Sequence, residues 1–82
     1  MEKLDIILKA LDDKIAENVV SIDLKGKSSI AEYFVIATGS AVNHNQAICD
    51  EIEFQLKKNN MDCLSTEGYK DGNWILLDCG EI

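Results

Sequence analysis

Arginine is absent from the 82 residues, and the charge is one-sided: 15 acidic residues stand against 8 lysines, a formal net charge of −7. Arginine is the side chain best suited to bidentate contacts with phosphate and guanine. Its absence from an acidic chain speaks against direct binding of nucleic acid. A basic protein surface is the natural charged partner, although acidity also serves solubility alone. Long apolar runs are missing too. None approaches the ~18 residues that cross a bilayer, so no membrane partner is expected. The start, Met1-Glu2-Lys3-Leu4-Asp5, lacks the basic-then-apolar pattern of a secretory signal. The cysteines, Cys49, Cys63 and Cys79, form no C-x-x-C pair and are odd in number. That suits free, buried thiols in a reducing compartment. These absences imply a cytoplasmic protein. There is no repeat, low-complexity tract or linker, so residues 1–82 read as one domain. A chain this short buries only roughly 60–65% of its unfolded surface.

What is present centres on Tyr33-Phe34-Val35-Ile36-Ala37-Thr38-Gly39-Ser40. Five consecutive apolar residues ending in a Gly-Ser step suit a strand buried on both faces, at about residues 33–38. Aromatic and β-branched content favours strand over helix. Before it, Leu4, Ile7, Leu8, Leu11 and Ile15 recur at spacings of three and four, which predicts a helix over residues 2–16. Asp5 and Lys9 stand four apart in the favourable order on its other face. Val20, Ile22 and Leu24 alternate with Val19, Ser21 and Asp23, a strand with one wetter face. The connector Lys25-Gly26-Lys27-Ser28-Ser29 is short, which favours antiparallel pairing with the central strand. A second helix is predicted over residues 43–59, with the spine Ile48, Ile52 and Leu56 flanked by Ala47, Cys49 and Phe54. Ser40 and Asn43 compete as its N-cap, and Asn59-Asn60 can end it in the left-handed conformation. Cys63–Thr66 reads as a short strand, Glu67–Asn73 as a turn with two glycines, and Trp74–Cys79 as a strand.

The order of these pieces resembles the ribosomal silencing factor (Iojap-like, RsfS) family. The signature-like stretch runs from Lys25 to Ser40. Asn43-His44, Ala47-Ile48, Asp50-Glu51, Glu67-Gly68, Trp74-Ile75-Leu76-Leu77-Asp78 and Gly80-Glu81 continue the match over nearly the whole chain. The resemblance implies an α+β fold of order α-β-β-α-β-β. A small mixed sheet would be flanked by helices and related to nucleotidyltransferases. It also implies a non-catalytic factor without cofactor or metal. Such a factor docks on a large-subunit ribosomal protein and obstructs subunit joining when nutrients are scarce. Three departures stand out: Glu81 replaces the usual aspartate, Asn43 replaces an arginine, and the family's next apolar strand does not follow. A chain truncated relative to the family is therefore expected, with an open edge beside the Trp74 strand.

Gly39-Ser40 also resembles the Gly-Ser of nucleotidyltransferases, at a helix start near phosphates. That chemistry needs carboxylates converging on Mg²⁺. Asp50 and Glu51 project about 100° apart on the predicted helix, and no D-x-D follows, so capping is the simpler role for Ser40. A minimal nucleotidyltransferase is the alternative function, and a homodimerisation module a third. His44, the only histidine, has no convergent cysteine or aspartate, and reads as a capping or partner-facing residue. Trp74 reads either as core or as an exposed anchor, the kind of residue enriched at interface hot spots. Glu67, Asp71, Asp78 and Glu81 around it form either a solvated rim or an acidic docking face. The resemblance favours docking, with Glu67, Tyr69, Trp74, Asp78 and Glu81 as the partner-binding set.

Overall fold

Ile7, Ala10 and Leu11 share one helical face, and the computed structural model, which describes Met1–Ile82, buries all three on α1 (Glu2–Asp13). The helix stops short of residue 16 in a Schellman turn. The Ala16 N–H donates to the Leu11 carbonyl at 2.9 Å and the Ile15 N–H to the Asp12 carbonyl at 3.0 Å. Such a turn needs one left-handed residue. Ile15 supplies it at φ 59°, an uncomfortable conformation for a β-branched side chain. Ile15 thereby leaves the expected stripe and is 76% exposed, while Ala10 joins the core. The surface ion pair also differs from expectation: Lys9 reaches Asp13 at 3.0 Å, not Asp5.

The second helix, α2 (Val42–Lys58), carries the expected spine of Ile48, Ile52 and Leu56, with Cys49 also buried. Phe54 falls on the far side and is exposed. The C-terminus repeats the Schellman pattern: Met61 N–H to Leu56 carbonyl at 2.8 Å, Asn60 N–H to Lys57 carbonyl at 3.0 Å. Here the left-handed residue is Asn60, at φ 60°, as its chemistry predicts. The N-terminus departs from expectation. Ala41 is the N-cap, without a side-chain cap, in place of Ser40 or Asn43. His44 compensates by reaching back: its Nδ1 accepts the Ser40 N–H at 2.8 Å. Its Nε2 donates to the Lys14 carbonyl at 2.6 Å, which bolts the start of α2 to the end of α1.

Strands β1 (Glu17–Asp23) and β2 (Tyr33–Thr38) pair antiparallel, with Val20 opposite Ile36, Ser21 opposite Val35 and Ile22 opposite Phe34. The register slips between Glu17 and Val20, a bulge in which Asn18 takes φ 52°. Strands β3 (Ser65–Glu67) and β4 (Leu76–Asp78) form a second antiparallel pair. The α+β order α-β-β-α-β-β therefore holds, but the single mixed sheet does not: the strands make two separate two-stranded sheets. Each pairs chain neighbours through a local connector. The tail after β4 is hydrogen-bonded to the start of β2, where the Glu32 and Tyr33 N–H groups donate to the Glu81 carbonyl at 2.7 and 3.1 Å.

The core comprises Ile7, Ala10, Leu11, Ile48, Ile52, Leu56 and Cys79, with Val35, Ala37 and Leu77 packed on it from the two sheets. The helices thus form one layer and the strands the other. β2 is not buried on both faces as expected. Val35 and Ala37 point inward, whereas Phe34 and Ile36 point outward and are each 47% exposed. A continuous apolar run does not reveal which side has a cover, and here only the helix side does. The expectation of three free thiols also fails. Cys63 and Cys79 are joined in a disulfide, leaving Cys49 as the free cysteine. The β3–β4 pairing brings them together, with the Leu64 N–H donating to the Asp78 carbonyl at 2.6 Å. No helix is long and apolar enough to cross a membrane.

Candidate docking surface

Glu67 closes β3 opposite Leu76 of β4, and the chain between them must turn tightly. Gly68 and Gly72 make the turn in the left-handed region, at φ 78° and 72°. A Cβ on Gly68 would collide with the Trp74 carbonyl oxygen, and one on Gly72 with the Val42 side chain, so glycine alone fits. Side chains of α2 then pin the loop. Asn45 Nδ2 donates to the Gly72 carbonyl at 2.7 Å, and Gln46 Nε2 to the Tyr69 carbonyl at 2.8 Å. The Tyr69 hydroxyl donates to Asp50 Oδ2 at 3.0 Å. That hydrogen bond favours the protonated phenol and pushes Tyr69 above its usual pKa. The loop is thus a platform fixed to the best-packed helix.

Trp74 stands on this platform, 75% exposed. It lies just before β4, not within it. Along β4 the side chains alternate: Leu77 packs on the core, while Leu76 and Asp78 face away from it. Glu67 is opposite Leu76 and so shares its face. Of the five expected partner-binding residues, Glu67, Trp74 and Asp78 are exposed in or beside the β3–β4 sheet. The other two are engaged within the chain. Tyr69 turns to Asp50. Glu81 accepts from Lys3 Nζ at 2.9 Å, and the same ammonium reaches the Cys79 carbonyl at 2.8 Å. The Lys3 hydrogen bond holds the Glu81 carboxyl below its usual range. Leu76, 52% exposed, was not among the expected residues. Its alternation with the inward Leu77 was the signal that could have found it.

Beside the exposed indole, Asp78 Oδ1 accepts the Gly80 N–H at 3.1 Å. The Gly39-Ser40 step is already committed, since the Ser40 N–H and hydroxyl both turn to His44 Nδ1. Nowhere do three His, Cys, Asp or Glu side chains converge as a metal site would require. Asp50 is taken by Tyr69. Glu53 accepts from the Cys49 thiol at 3.2 Å. Burial, reinforced by that carboxylate, pushes the Cys49 thiol up to about 12, which keeps it protonated and unreactive.

Comparison with known proteins identifies the family. The family described as "Ribosomal silencing factor during starvation" matches residues 1–82. Ribosomal silencing factor RsfS of Halalkalibacterium halodurans is 36% identical over 81 residues, 99% of this chain and 69% of its own. The Bacillus subtilis protein of the same name is 37% identical over 79 residues, 96% of this chain and 67% of its own. A crystal structure of a Chromobacterium violaceum protein superposes with a TM-score of 0.94 at 25% identity, covering 98% of this chain and 67% of that one. A Bacillus halodurans crystal structure does so with a TM-score of 0.91 at 34% identity, over 98% and 74% of the two chains. With the whole sequence matched and relatives above one-third identity, the chain belongs to the ribosomal silencing factor family.

Proposed function

We propose that this domain silences ribosomes as a non-catalytic wedge in the cytoplasm, docking on a protein of the large subunit and blocking its union with the small one. The observation that carries the reading is Trp74, three-quarters exposed on a loop pinned by Asn45, Gln46 and Asp50. A large aromatic already held in place loses little further freedom on binding. Glu67 and Asp78 lie close by in sequence on the exposed face of the β3–β4 sheet. Ribosomal surfaces are rich in cationic proteins, and carboxylates steer encounters with such surfaces. Repression of translation under nutrient limitation follows if joining is blocked, with no bond made or broken.

Co-sedimentation with purified large subunits tests this directly. Native protein is expected in the pellet. Trp74→Ala is expected to weaken binding by about 30-fold or more, the loss of a hot spot worth roughly 2 kcal/mol. Asp78→Lys and added salt weaken it as well. Failure of the native chain to sediment with the subunits, at any salt, would overturn the proposal.

A further inference from the structure

We infer that Cys63 and Cys79 form a reversible thiol–disulfide site, opened and closed by exchange with low-molecular-weight thiols of the glutathione class, which sets how firmly β3 is held against β4. Its consequence for docking rests on the ribosome-binding reading; the site itself does not. The residues that the pair encloses, 64–78, include Glu67, Trp74 and Asp78, the exposed members of the docking surface. Disulfides persist in oxidising compartments, whereas a cytoplasm keeps thiols reduced. A pair of cysteines placed together there answers to the redox state of its surroundings.

The two cysteines are held differently. Cys79 is 2% exposed and belongs to the core. Its N–H donates to the Ile82 carbonyl at 2.9 Å and its carbonyl accepts from Lys3 Nζ at 2.8 Å, so its backbone is fixed without help from the sulfur. Cys63 is half-buried, and neither its N–H nor its carbonyl is hydrogen-bonded. β3 follows it and exposes all three of its residues, so burial does not anchor the strand. Besides the three-residue ladder to β4, two hydrogen bonds tie this segment: the Leu64 N–H to the Asp78 carbonyl, and the Thr66 hydroxyl to Glu53 Oε1 at 3.3 Å. The disulfide is therefore the one covalent cross-link on a lightly held strand. Access directs the exchange. A small thiolate attacks the Cys63 sulfur, the more accessible of the two; the Cys63–Cys79 bond breaks, and Cys79 leaves as a thiolate that takes a proton from water. A second small thiolate attacks the mixed disulfide. Cys63 is released and protonated in turn, and the two small thiols depart as their own disulfide. The protein gains two electrons, the small thiols lose two, and oxidation runs the same steps backwards. Cys49 is buried and donates its thiol proton to Glu53, which keeps it out of the exchange.

The test equilibrates native protein in buffers running from glutathione alone to glutathione disulfide alone, quenches with acid, alkylates the free thiols and counts them by intact mass. Three alkylated thiols are expected at the reducing end and one at the oxidising end, with a reversible two-thiol step between. The reduced form is expected to melt about 8 °C or more below the oxidised one. Its β3 amides are expected to exchange hydrogen at least about tenfold faster, while those of α2 keep their rates. Cys63→Ser, on the segment without backbone hydrogen bonds, is expected to fold and to show the reduced pattern in every buffer. Three thiols at both ends, or one at both ends, would overturn the inference. So would equal β3 exchange in the two forms, or a uniform acceleration through α2, which would make the bond a staple of the whole fold. Co-sedimentation with purified large subunits then separates this inference from the reading it touches. Oxidised protein is expected to bind about fivefold or more tighter than reduced protein, which must order β3 on binding. Equal binding by the two forms would overturn the consequence for docking. Binding by neither form removes the docking reading, while a two-thiol step with a change confined to β3 still upholds the site.

Discussion

The helix layer and the strand layer are built from chains of similar apolar content, yet they are finished very differently. Ile7, Ala10, Leu11, Ile48, Cys49, Ile52 and Leu56 are buried, all of them helical, while no residue within a strand is. The helices interlock face to face and expose Lys9, Lys57 and Lys58. The strands lean on them with one side only and present apolar and acidic side chains on the other. Stability therefore resides chiefly in one layer, and recognition is free to occupy the other.

Substitutions can break this division or sharpen it. Leu56→Ala, at the most enclosed side chain, is expected to cost about 2–5 kcal/mol in denaturant unfolding. A small domain holds little more than that in total; a loss below ~1 kcal/mol would mean the helix layer does not carry the fold. Trp74→Ala is the counterpart in the strand layer. It is expected to leave unfolding within about 0.5 kcal/mol of native while removing roughly 2 kcal/mol of binding. Equal loss in both assays would erase the division. Ile15→Gly is expected to stabilise by about 1 kcal/mol, because it relieves a β-branched residue of a left-handed conformation, raising Tm by roughly 4–8 °C. Asn60→Gly, at the matching place on α2, is expected to change far less.

The smallest effects are electrostatic. The Glu81 carboxyl has a lowered pKa in the folded state, so the Lys3 pair contributes above the ordinary carboxylate range. That contribution disappears as pH falls through the lowered value. The Glu81 carboxylate is solvent-exposed, so thermal melts of Lys3→Ala are expected to approach native ones at low pH from a modest difference at neutral pH. Cys49 acts in the opposite sense. Its thiol is raised from 9.0 to about 12, so stability is expected to fall as pH climbs from about 9 towards 12. Cys49→Ala should remove that alkaline sensitivity.

The helical spine was legible because Ile48, Ile52 and Leu56 repeat with the period of a helix, and Asn60 announced its own left-handed turn. The family's motif order supplied the sequence of elements. Other features needed coordinates. Nothing about Ile15 recommends it for a positive φ; the chain adopts one there because α1 must stop for β1 to begin. The run from Tyr33 to Ala37 is apolar throughout, and apolarity alone could not say that its outer half lacks a cover. Cys63 and Cys79 lie 16 residues apart, a spacing that carries no signal until β3 and β4 pair. Of the candidate site, Trp74, Glu67 and Asp78 are exposed. Glu81 accepts from Lys3 of α1, a contact that no local pattern encodes.

That same lysine ties the first turn of α1 to the segment that follows β4. Lys3 holds Glu81 and the Cys79 carbonyl, and Ile82 folds back to accept the Cys79 N–H at 2.9 Å. A change that unseats Lys3 would therefore be felt at three elements together: the first turn of α1, the segment after β4, and, through the Glu81 carbonyl, the first residue of β2.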